Sequence, residues 1–165
     1  MRAKLKRLKL KKNLIQIVTL VLLGLYTGFI LYITLLSRQP SAVREYNFHP
    51  FWSYKKFFDA AHPQGRQILL NILLFIPFGM LCSMAGNNGK RSSKKRLLLA
   101  VLSAFFLSLL IESLQLLLKL GYAEIDDLID NTLGAVIGVG GTVLARKLLS
   151  KLQGEKDHAG HDSGE

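Results

Sequence analysis

Residues Glu112 to Gly141 read ESLQLLLKLGYAEIDDLIDNTLGAVIGVGG. A carboxylate, Glu112, sits inside an apolar run; a short acidic loop follows, and then small residues recur at helical spacing. The apolar segments on either side have the length and composition of membrane spans. Polar groups at membrane depth are rare unless they have partners or a job. The stretch therefore points to an all-α integral membrane protein and marks where a site is expected.

Upstream, Leu97–Leu118 is one span, and within it Ser108, Glu112, Gln115 and then Lys119 recur at i, i+4, i+7 and i+11. That spacing draws one polar stripe along a Leu-rich helix. Downstream, Thr132–Leu149 is the last span. Its Gly134, Gly138, Gly141 or Thr142, and Ala145 form a face of small residues, which lets helices pack closely in lipid. Extended backward, this face reaches Asn131 and Asp127, which would then meet the Ser108–Glu112–Gln115 stripe. The competing structural account is that Asp126, Asp127 and Asn131 only begin a helix, capping free N–H groups and opposing its dipole.

Two further spans precede these. Leu14–Leu36 carries no formal charge and is long enough to cross a hydrocarbon core of about 30 Å. A signal peptide is the competing reading, but the run exceeds the usual apolar core of such a segment and no A-x-A-like cleavage site follows. Its Gly24 and Gly28 form a GxxxG pair, a weak signal for close helix approach. Ile68–Ala85 contains Asn71 near its start and Pro77 in its middle. Proline removes the donor that the carbonyl of Leu73 needs, so a kink is expected, with a neighbouring helix satisfying that carbonyl.

Between the first two spans, Ser37–Arg66 holds Pro40, Pro50 and Pro63, which argue against one continuous helix. Tyr46, Phe48, Phe51, Trp52, Tyr54, Phe57 and Phe58 suit a segment lying at the membrane surface. His49 and His62 read as solvated loop histidines. Gly86–Arg96 is a basic loop. Ser150–Glu165 is expected to be a disordered tail, and its His158 and His161 are not expected to hold a metal.

The chain has 165 residues, half of them hydrophobic, yet a net charge of +11. Location decides what the charge means. Seven of the 22 Lys and Arg lie before Asn13 and five between Lys90 and Arg96, both bordering apolar runs. That is the pattern of a membrane protein, and nucleic acid is not an expected partner. Five positives are spread over Ser37–Gln67, one lies in Lys119–Asn131, and four from Arg146 onward. The excess of Lys and Arg on short loops faces the cytoplasm, so both termini and the Lys90–Arg96 loop are expected there. The single cysteine, Cys82, rules out an internal disulfide and offers no metal-ligand spacing.

With that topology, Asn47, Asn71, Glu112, Gln115, Asp126, Asp127 and Asn131 all fall on the outer half, and they are the expected binding cleft. A charged residue at a helix centre costs roughly 2.5–3.5 kcal/mol on insertion scales, less when displaced outward. Glu112 is therefore expected to face the bundle, protonated or hydrogen-bonded.

These residues resemble the VanZ-like family of bacterial membrane proteins. The likeness lies in Asn47, Pro50 and Phe51, in NILLFIPFG from Asn71 to Gly79, in Glu112-x-x-Gln115, and in IDDLIDNTLGAVIG from Ile125 to Gly138. It implies a four-span membrane domain, here residues 14–149 with an outer loop at 37–67, preceded by a basic cytoplasmic segment at 1–13. It also implies a cell-envelope role linked to resistance to the glycopeptide teicoplanin, with which the founding member is associated. It supplies no catalytic residues. Many members carry an arginine just before the acidic loop where this chain has LGYAE, so its part is expected to be absent here or taken by Arg66 or Lys119.

The leading expectation is a binding or accessory protein whose partners are membrane lipids and a lipid-linked cell-wall precursor or another envelope protein. No cofactor and no metal are expected. Amides and carboxylates suit sugar hydroxyls and peptide amines. One alternative is an enzyme acting on a lipid-linked envelope substrate through Glu112 and Asp126 or Asp127 as acid and base. Another is a transport or scaffold subunit in which the polar groups only join helices.

Overall fold

The computed structural model describes residues 2–57, 64–85 and 94–159. In chain order it contains α1 (Arg2–Leu31), a π turn (Tyr32–Leu36), β1 (Glu45–Asn47), α2 (Trp52–Phe57), α3 (Gln64–Ala85), α4 (Lys94–Leu118), β2 (Tyr122–Glu124) and α5 (Ile125–Ala159). Four stretches are long and apolar enough to cross a membrane: Lys9–Leu36, Gly65–Ala85, Lys94–Leu118 and Ile125–Gln153. These contain the four spans expected from the sequence. Phe58, His62, Pro63, most of the basic loop and His161 lie outside the described residues.

The fourth helix differs from expectation at both ends. It begins at Ile125, not near Thr132, because Asp126 and Asp127 fall in its first turn, where negative charge opposes the helix dipole. It also continues to Ala159, so the start of the expected disordered tail is helical.

α3 and α5 form the tightest helix pair, and glycine makes it so. A methyl group added at Gly134 would lie 2.2 Å from the Ile72 carbonyl oxygen, and one at Gly138 would lie 2.1 Å from that of Ile76. One added at Gly79 would lie 2.3 Å from the Ala135 carbonyl oxygen. The small-residue face of α5 is therefore seated on α3 rather than on α4. Around this seam Ile30, Phe75, Phe78, Ala104, Ile111 and Ala135 form the buried apolar core. Large apolar side chains on the outside of the bundle, such as Leu25, Leu73, Phe106 and Leu144, are exposed, as befits helices solvated by lipid. Gly24 and Gly28 of α1 have nothing within 4 Å of an added methyl, so among the described residues their GxxxG face seats no helix.

At Pro77 a neighbour does supply a donor, one carbonyl along from the expected position. The Tyr26 hydroxyl of α1 donates to the Leu74 carbonyl at 2.8 Å. Pro77 itself withholds its donor from the Leu73 carbonyl, one residue earlier in the helix.

One end of the bundle is closed by the two connections. β1 pairs in parallel with β2, in the register Glu45 with Tyr122, Tyr46 with Ala123 and Asn47 with Glu124. α4 stops because Lys119 adopts a left-handed conformation (φ 57°), and the Leu120 N–H returns to the Gln115 carbonyl at 2.9 Å. This is a Schellman ending with lysine at the position glycine usually takes. The Ser41 N–H then donates to the Lys119 carbonyl at 2.7 Å, tying the first connection to the end of α4.

Candidate functional site

The polar residues singled out in the sequence gather at the β-paired end, but they do separate jobs. Asp126 is buried and holds α2. Its Oδ1 accepts the Phe51 N–H at 2.6 Å and its Oδ2 accepts the Ser53 N–H at 2.8 Å. These are orphan donors at the start of α2, so a carboxylate far along the chain supplies the cap. Phe51 is left-handed (φ 62°), a strained state for an aromatic residue, which the Asp126 contact helps to hold. One turn further along α5, Asp130 accepts a hydrogen bond from the Tyr54 hydroxyl of α2. Partial burial first, then this bond and the charges of Asp130 and Asp126, push the Tyr54 phenol well above its ordinary value.

The adjacent face of α5 looks elsewhere. Asp127 accepts from the Gln67 amide of α3 at 3.3 Å to each oxygen, and the same Nε2 donates to Glu124 Oε2 at 3.1 Å. Glu112 of α4 accepts the Glu124 N–H at 3.1 Å, which ties the end of β2 to the helix before it. Asn131 donates to Ser108 Oγ of α4 at 2.8 Å, the one link between the two stripes that follows the expected pattern. Gln115 turns away from α5 and donates to the Thr34 carbonyl at 3.0 Å. That carbonyl lies in the π turn, where the helical ladder has slipped by one residue. Asn47 is buried in β1 and accepts the His49 N–H at 3.0 Å, a local turn.

Arg38 is the cation of this end. Its charge reaches both Glu112 and Asp127, and its guanidinium passes over Gly121. A methyl added there would lie 2.8 Å from Arg38 Nη1, and the glycine has φ 107°, so it serves both the turn and the approach. Arg66, one of the two residues expected to take this part, lines a cavity together with Arg38. Lys119 donates to the Ala42 carbonyl at 3.2 Å.

Among the described residues, those expected to share one cleft border two separate cavities at this end. One, of about 430 Å³, lies between α3 and the π turn that ends the first span (the α1–α3 cleft), and is lined by Ile33, Thr34, Arg38, Arg66, Gln67, Leu70, Asn71 and Leu74. The other, of about 180 Å³, lies beside α4 and the start of α5 and takes in Phe48, Glu112 and Glu124. Of the residues expected to form one cleft, Asn71 borders the first and Glu112 the second. Gln115, Asp126 and Asn131 are committed to joining elements, and Asp127 shares Gln67 with Glu124. Several buried polar atoms have no hydrogen-bond partner, among them Asn71 Nδ2, Gln115 Oε1 and Asn131 Oδ1. Among the described residues no group of His, Cys, Asp and Glu is arranged to hold a metal.

A family model described as VanZ/LLP1 matches residues 22–146. The chain belongs to the VanZ/LLP1 family. Neither the curated proteins nor the solved structures give a match. In this VanZ/LLP1 chain the matched stretch runs from within α1 to within α5 and includes every polar residue named above. Sequence reasoning missed Arg38, Tyr54, Gln67, Glu124 and Asp130 as members of this end. Asp130 carried a signal: it lies four residues after Asp126, hence on the same helix face, just as Asn131 follows Asp127.

Proposed function

We propose that this VanZ-like membrane protein resides in the bacterial plasma membrane with both termini cytoplasmic. Its β-paired end then faces outward and serves the cell envelope as a binding or accessory site for the head group of a lipid-linked cell-wall precursor. The observation that carries this reading is the α1–α3 cleft. Its lining joins apolar side chains (Ile33, Leu70, Leu74) to polar ones (Arg38, Arg66, Gln67, Asn71), and Asn71 Nδ2 is a buried donor without a partner. An amphiphile needs this combination: a lipid tail continuous with the bilayer and a head group met by fixed donors. The distribution of Lys and Arg supports the orientation. Through its precursor, such a protein would alter how cells respond to teicoplanin.

The test separates binding from folding. Asn71→Leu, Glu112→Gln and Asp127→Asn are each expressed in cells, and teicoplanin sensitivity is measured beside protein abundance. Asn71→Leu is expected to raise sensitivity at unchanged abundance, because it closes the cleft without removing a helix–helix bond. Glu112→Gln and Asp127→Asn disturb groups that also tie elements together, and a fall in abundance is expected with them. Unchanged sensitivity for Asn71→Leu at normal abundance would sink the proposal.

A further inference from the structure

We infer that the α1–α3 cleft recognises the phosphate of an anionic lipid, with Arg38 and Arg66 as the two arms that hold it. The inference rests on the cleft reading given above and names the chemical class of its ligand. The lining contains two guanidinium groups and no carboxylate. Arg66 makes no hydrogen bond or ion pair among the described residues, and the unpartnered buried atom of Asn71 is also a donor, Nδ2. Gln67 has turned its amide N–H group toward Glu124 and Asp127. This answers the nearby carboxylates with donors and stands as a neutral group at their edge of the cleft. What the lining itself offers is thus two guanidinium groups with no carboxylate among the residues around them.

Phosphate is acceptor-only, and arginine meets it with paired N–H groups in a fixed fork. A neutral sugar would leave the exposed Arg66 guanidinium without a counter-charge, and an amine would be repelled by the two arginines. Arg38 is already placed by Gly121 beneath it and by the field of Glu112 and Asp127, so one arm needs no reordering on binding. Ile33, Leu70 and Leu74 then give the lipid chain an apolar path leading out of the cleft.

The experiment uses the full chain in phosphatidylcholine nanodiscs, titrated with dioleoyl phosphatidic acid and, separately, with inorganic phosphate, with bound lipid counted by native mass spectrometry. Saturable binding of phosphatidic acid is expected, with inorganic phosphate at least a hundredfold weaker because it lacks the chain. Arg66→Gln is expected to weaken the lipid about tenfold or more, with Arg66→Lys recovering part of the loss. Arg44→Gln, an exposed arginine outside the cleft, is expected to bind as the unaltered chain does. Arg38→Gln gives a second reading, taken only where its melting temperature matches the parent. Equal affinity of Arg66→Gln and the parent overturns the inference, and so does inorganic phosphate binding as tightly as the lipid. Lost lipid binding in Arg66→Gln with teicoplanin sensitivity unchanged upholds the phosphate site and removes the envelope role. Altered sensitivity in Asn71→Leu with lipid binding indifferent to both arginines does the reverse.

Discussion

At Asp126 two backbone N–H groups from another element converge on one buried carboxylate. Hydrogen bonds to a charged group contribute about 1.5–3 kcal/mol each, and orphaned donors add to the loss when the acceptor is removed. Asp126→Ala is therefore expected to release α2: hydrogen exchange at residues 51–55 should rise steeply while that of α4 stays unchanged. Tyr54→Phe should loosen the same helix by about 1–3 kcal/mol, because Asp130 loses its donor. The Tyr54 bond is fully present below the phenol's ordinary pKa of 10.0 and is lost only as pH climbs past the raised value. The protection of α2, corrected for the intrinsic rise of amide exchange with pH, is accordingly not expected to fall through Tyr54 ionisation in the neutral range. Part of this was legible beforehand: IDDLIDN marks two helix faces, 126 with 130 and 127 with 131. Their partners were not, because Phe51, Ser53 and Tyr54 lie more than 70 residues away and only the fold brings them near.

For whole elements, helical periodicity revealed which faces are polar or small but not which neighbour each would meet. The glycine face of α5 meets α3, while the polar stripe of α4 divides between the π turn, β2 and α5. Gly138→Ala would bring a methyl against the Ile76 carbonyl and force the two helices apart, a change expected to cost about 1–3 kcal/mol. Gly140→Ala, with open space around it, should instead be neutral or stabilise by up to about 1 kcal/mol. Thermal unfolding of both variants in one detergent checks the contrast. Gly121→Ala combines a disfavoured backbone angle with a clash at Arg38, and should lower the melting temperature more than Gly140→Ala.

Across the molecule, hydropathy made the four spans readable and Lys and Arg counts suggested an orientation, but nothing in the sequence announced that β1 and β2 pair. Two three-residue strands leave almost no periodic signal. Their pairing requires the α1–α2 and α4–α5 connections to share one side of the membrane. In a Cys82→Ala background, single cysteines at Val43 and at Tyr122, both exposed, are therefore expected to react with a membrane-impermeant thiol reagent from the same side. One at Lys147, near the far end of α5, should react only from the other. If cysteines at Val43 and Tyr122 react from opposite sides, the four-helix arrangement is wrong.

The ribbon also constrains how the chain is made. β1 leaves the ribosome before α3, and β2 only after α4, so the two strands first coexist once three helices have entered the bilayer. Until then the segment around Phe51 has no carboxylate to fold onto, because Asp126 follows later still. A nascent chain halted after its second span would hold an unlatched surface segment.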